Sequence, residues 1–101
     1  GNYMRTLELA IRFHGECKKL NVKYYLKDQI ERSSSSVALN LSEGNYRRTS
    51  KDRRRFFQIS YASLKETETA LKLMDEAPKS LLHLADHIGA SLYRLIKNMP
   101  S

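Results

Sequence analysis

Six cationic side chains, Arg47, Arg48, Lys51, Arg53, Arg54 and Arg55, crowd the stretch 45–55, where Asp52 is the one anion. Arginine and lysine stay protonated at neutral pH, so such a cluster is suited to gripping phosphate or carboxylate and not to moving protons. Thr49 or Ser50 can cap a helix that begins here, which would set Lys51, Arg53 and Arg54 in its first turn. Cations there oppose the positive end of the helix dipole, a cost that points to a negatively charged partner. The N–H groups at that helix start, the arginines and Tyr46 could together receive phosphates, with an exposed base stacking on the tyrosine ring. The competing reading is a solvated surface, or arginines paired with Glu43, Glu66 or Glu68 inside the bundle or across a subunit contact. Residue types alone leave both open.

Other chemistry finds less support. A di-iron bundle needs Glu-x-x-His on two helices, and no glutamate here lies three residues before a histidine. His83 and His87 share a helix face at a chelating spacing, but no glutamate adjoins them as in the zinc-protease motif, and surface or interface histidines are the preferred reading. Cys17 and His14 also share a face. A lone cysteine on an apolar stripe is more often a small buried hydrophobe than a nucleophile. Phosphate loop and nucleophile elbow are both missing, so the expectation is a non-enzyme with no cofactor and no metal.

The elements that must position the cluster read as helices. Only two prolines and four glycines occur in 101 residues, and no strand is expected. One apolar stripe runs Met4, Leu7, Ala10 or Ile11, His14, Cys17, Leu20, giving a first helix over about residues 3–20 with Asn21 at its end. A second runs Leu26, Ile30, Ser33 or Ser34, Val37, Leu41 and ends near Gly44, whose freedom to turn left-handed suits a terminus. A third runs Phe56 or Phe57, Ser60, Leu64, Thr67 or Glu68, Leu71, Met74. Pro78 marks the next break, and the last stripe, Leu81 or Leu82, Ala85, Ile88, Leu92, Leu95 or Ile96, Met99, stops at Pro100. The serines 33–36 could be a short linker, but they keep phase with Ile30 and Val37 and are better read as small residues at a close helix crossing. The fold class is thus all-α, an up-and-down antiparallel four-helix bundle with residues 1–101 as one domain.

Net charge is +7, and the basic stretch supplies most of it, so the basic character belongs to one site. One cysteine suits a reducing cytoplasm; no apolar run is long enough to span a membrane, and the N-terminus lacks a signal-peptide layout. A bundle this small buries a modest core, and self-association would cover apolar surface left over.

Residues 40–44, Asn-Leu-Ser-Glu-Gly, lead into Asn-Tyr-Arg-Arg-Thr-Ser-Lys-Asp, then Arg55-Phe56, Ile59, Ser63-Leu64, Glu66, Glu68 and Leu71. From about Asp28 to Leu71 this resembles the bacterial proteins encoded within intervening sequences of 23S ribosomal RNA genes, in which a helix ends Asn-[Ile/Leu]-x-Glu-Gly before a basic turn. The resemblance implies a four-helix bundle that assembles in relatives as a homopentamer, with no known catalysis. It also implies a distant likeness to the accessory variability protein of diversity-generating retroelements, a basic pentamer that works with a reverse transcriptase and binds nucleic acid. Two positions depart from the family pattern. Ala38 stands where many relatives have proline, which predicts a straighter second helix, and Arg53 replaces an aromatic. Within the motif itself, Asn40 and Glu43 are expected to accept hydrogen bonds from Arg47 or Arg55, with Gly44 letting the chain reverse.

The leading expectation is therefore a non-catalytic oligomeric bundle that binds RNA or DNA, or a nucleoprotein partner, through the six cations and Tyr46. The alternative is a protein-interaction scaffold whose arginines serve subunit or protein contacts.

Overall fold

The computed structural model describes residues 2–100; Gly1, Ser101 and the side chain of Asn2 lie outside the description. Helix α1 spans Asn2–Lys18, α2 Tyr24–Asn45, α3 Ser50–Lys72 and α4 Lys79–Lys97. α1 packs on α2 and α4, and α3 packs on the same two, so the helices stand at the corners of a square with neither diagonal in close approach. At about 1.5 Å of rise per residue, α2 and α3 span roughly 33–35 Å of the 41 Å long axis, and each short connection must reverse the chain. The result is the expected four-helix bundle, without a strand among the described residues. Among the described residues no helix is long and apolar enough to cross a membrane.

Three of the four stripes point inward as their spacing requires. Leu26, Ile30, Val37 and Leu41 of α2, Phe57, Leu64 and Leu71 of α3, and Leu81, Ala85, Ile88 and Leu92 of α4 share one buried core. α1 keeps Ala10 and Cys17 of its expected stripe in the core, with Leu7 and Leu20 packed against it, but is turned enough to bring in Thr6 and Phe13 and leave out Met4. Thr6, Ala10, Phe13 and Cys17 are fully buried, while Met4 and Ile11 are 56% and 57% exposed. Apolar residues ring much of α1, so spacing alone could not choose the face. Phe13, the bulkiest of them, takes the core, and Thr6 is held there by a bond to Ser91 of α4.

The serine run is a helix crossing, as its phase implied. Ser36 Oγ and Ser63 Oγ lie 2.8 Å apart, Thr67 Oγ1 donates to Ser33 Oγ at 2.7 Å, and Ser60 Oγ donates to the Val37 carbonyl at 2.7 Å. Short side chains let α2 and α3 approach, and reciprocal hydroxyl bonds satisfy polar atoms that would otherwise be costly to bury. α2 runs unbroken through Ala38, where proline would have cost a backbone donor.

Candidate nucleic-acid interface

At one end of the bundle the start of α1, the α2–α3 turn and the end of α4 meet. The turn is built by two local devices. Thr49 caps α3, its Oγ1 accepting the Asp52 N–H at 3.1 Å as expected. Gly44 acts differently from the expectation. It lies within α2, whose end is Asn45, and no glycine among the described residues has positive φ. Its role is close approach: a Cβ there would stand 2.7 Å from Cδ1 and Cε1 of Phe57. The chain turns after Tyr46, whose N–H reaches back to the Glu43 carbonyl while the Arg47 N–H reaches that of Gly44, each at 3.2 Å.

The six cations separate into three kinds. Arg53 donates from Nε to the Arg47 carbonyl at 3.0 Å and from Nη2 to the Asn45 carbonyl at 3.2 Å, closing the end of α2. Arg54 donates from Nη2 to the Met99 and Pro100 carbonyls at 2.8 and 3.0 Å, which ties the chain beyond α4 to α3. Antiparallel packing sets the first turn of α3 beside the carbonyl-rich ends of α2 and α4, so cations that oppose one dipole satisfy two others. The neighbours therefore offset the cost foreseen in the sequence.

Arg47 and Arg55 form the second kind. Both guanidinium groups stand over the Phe56 ring, 4.6 and 4.3 Å from its centroid. Arg47 also pairs with Glu43 at 2.7 Å, and Arg55 lies 3.9 Å from Asp52. Arg47 Nε is buried with no hydrogen-bond partner among the described residues, leaving this group short of one acceptor. Glu43 thus meets Arg47 as expected, but Asn40 does not: its Nδ2 donates at 2.9 Å to the Ser36 carbonyl and hydroxyl, one turn back along α2. Of the other carboxylates considered as partners, Glu66 bonds Gln29 and Glu68 pairs with Lys65 at 3.1 Å.

Arg48 and Lys51 are the third kind. Both are exposed, with no ion pair or hydrogen bond to any described residue. Tyr46 beside them is 81% exposed, an unusual position for so large a ring. A polar-tipped aromatic and two unneutralised cations consequently share the outer surface of one turn.

The other candidates stay outside this end. Cys17 is fully buried, and burial pushes its thiol up to about 11, partly opposed by a bond with Ser34, so it is protonated at neutral pH and unsuited to attack. His83 and His87 are exposed, and no group of three metal-ligating side chains occurs among the described residues. His14 Nδ1 lies 2.9 Å from Ser34 Oγ. Burial and, next, the Lys18 charge lower its pKa below 6.5, with Glu31 opposing them. The unfolded chain therefore takes up a proton before the folded one. The stability that neutral His14 contributes is complete above pH about 6.5 and is lost as pH falls through its lower folded value. Melting curves between pH 7 and 5 should show a decline that is smaller in His14→Gln; identical declines would contradict the assignment.

The model of the 23S rRNA-intervening sequence protein family matches residues 2–99, nearly the whole described bundle. The chain belongs to the 23S rRNA-intervening sequence protein family. No curated protein matches it. The likeness first read from residues 28–71 thus extends across all four helices, α1 and α4 included. In this family member, Arg53 closes α2 with two hydrogen bonds.

Residue types alone give no role to four residues of this end: Tyr3, Asn45, Arg94 and Asn98. Each lies at a helix start or end, and up-and-down topology places the start of α1 and the end of α4 beside the α2–α3 turn. That topology, once accepted, was the signal that could have found them.

Proposed function

We propose that this bundle is a non-catalytic nucleic-acid-binding protein that grips the phosphate backbone of RNA or DNA at the α2–α3 turn. The observation that carries the reading is the pairing of Arg48 and Lys51, exposed and without an anionic partner among the described residues, with exposed Tyr46 beside them. Arg55 and Arg47, braced on Phe56, extend the positive surface. Arg53 and Arg54 add charge, while their hydrogen bonds hold the turn in shape.

Three or four phosphate contacts release as many counterions. Affinity should fall roughly 20- to 150-fold between 50 and 200 mM salt. Filter binding of a labelled RNA and a labelled DNA at both concentrations tests this; absence of binding at the lower salt, or affinity indifferent to salt, would overturn it. Self-association is part of the proposal, supported by exposed Met4, Ile11 and Leu39, because a ring repeating the patch would add weak contacts together.

Those same apolar side chains favour a second reading, a scaffold whose partner is another protein. Under it, changing Met4 and Ile11 to Ser would disperse the assembly in light scattering, and nucleic acid would make no difference.

A further inference from the structure

Beside the cationic turn the three chain segments leave a cleft of about 300 Å³. Tyr3 of α1, Asn45 at the end of α2, Arg53 and Phe57 of α3, and Arg94 and Asn98 at the end of α4 line it. That volume sits at the lower end of the range for small-ligand sites, roughly 300–1,000 Å³, so it suits one planar ring system. We infer that this cleft receives an unpaired nucleobase, and that the ligand of the basic end is single-stranded nucleic acid. The inference rests on the phosphate-binding reading above and adds a second site to it.

Each wall supplies what such a group needs. The Tyr3 ring is held in place by stacking on Phe57, 6.3 Å between centroids and 18° between planes, which offers a rigid aromatic edge at small cost in freedom. Burial, above all, raises the pKa of its hydroxyl, partly opposed by a bond with Ser42 that further fixes the ring. Asn45 and Asn98 bring amides able to donate and accept, as the Watson–Crick edge of a base requires. Arg94 is exposed at the rim with no ion pair among the described residues, and Arg53 keeps N–H groups beyond the two that close α2. A base in the cleft would therefore have the Arg94 and Arg53 cations near its own phosphates. In a duplex that base edge is already paired and the ring stacked, so the cleft discriminates against double strands.

Fluorescence anisotropy with four labelled probes tests this: single-stranded RNA, single-stranded DNA of the same sequence, the corresponding DNA duplex, and a single strand carrying abasic sites. The wild-type chain should bind either intact single strand roughly five- to hundred-fold more tightly than the abasic strand, the range that stacking of one base supports, and more tightly than the duplex. The double variant Arg94→Ala/Asn98→Ala, with both positions on the surface, should lose that preference and keep its melting temperature. Equal affinity for all four probes, or a preference untouched by the double variant, would overturn the cleft and leave the phosphate contacts standing. Failure to bind any probe at low salt would remove both.

Discussion

Gly44→Val should lower the free energy of unfolding by about 1–3 kcal/mol, the usual cost of forcing extra atoms into a packed site. The added Cβ would stand 2.7 Å from two Phe57 ring atoms and 3.1 Å from Phe56 Cβ. Phe57 is buried and stacked on Tyr3, so the ring must either give up that stack and press into the neighbouring cleft or force α2 and α3 apart at the turn. Helix propensity works the other way, since glycine inside a helix is worth about 1 kcal/mol less than alanine. Gly44→Ala should consequently be milder. For a chain of this size each kcal/mol moves the melting temperature by roughly 4–8 °C, which circular dichroism resolves. A valine variant melting with the wild type would mean that the two helices are not held at contact distance here.

Arg54→Glu should cost a comparable amount, about 1–3 kcal/mol, for a different reason. Two charge-assisted bonds to the Met99 and Pro100 carbonyls disappear, and a carboxylate then faces those same oxygens. The chain beyond α4 should loosen first, showing faster amide exchange in its last turn before the rest of the bundle. Arg54→Lys keeps the charge but not the planar fork and should recover only part of the loss. If Arg54→Glu unfolds like the wild type, the residue belongs with Arg48 as an exposed cation and its carbonyl bonds contribute nothing.

Much of this bundle could be read from residue order because its signals are local. Stripes such as Leu26, Ile30, Val37, Leu41 repeat at helical spacing, Thr49 can cap only a helix that starts directly after it, and Pro78 cannot sit inside a helix. What escaped was the long-range part. The setting of α1 depends on which apolar face meets α2 and α4, and Phe13 decides it through bulk that spacing does not weigh. Gly44 looked like a turn residue because glycine most often is one. Its actual constraint is a neighbouring helix some residues away in sequence but in contact in space. By residue type alone the arginines form one pool of charge. Only the juxtaposition of the first turn of α3 with the ends of α2 and α4 separates Arg53 and Arg54, which bond carbonyls, from Arg48 and Lys51, which do not.

That separation makes the central claim open to a clean test. Reversing Arg53 and Arg54 would damage the turn and the binding surface together, and so could not distinguish a fold from a ligand contact. Arg48→Glu/Lys51→Glu alters only exposed side chains with no described partner. The decisive measurement is the dissociation constant of this double variant for a single-stranded oligonucleotide at low salt, taken alongside its melting temperature. A melting temperature unchanged or slightly raised, since a carboxylate suits the start of α3, with affinity weakened by roughly two orders of magnitude through two lost phosphate contacts and two new repulsions, is the result expected. Wild-type affinity in the folded double variant would contradict it.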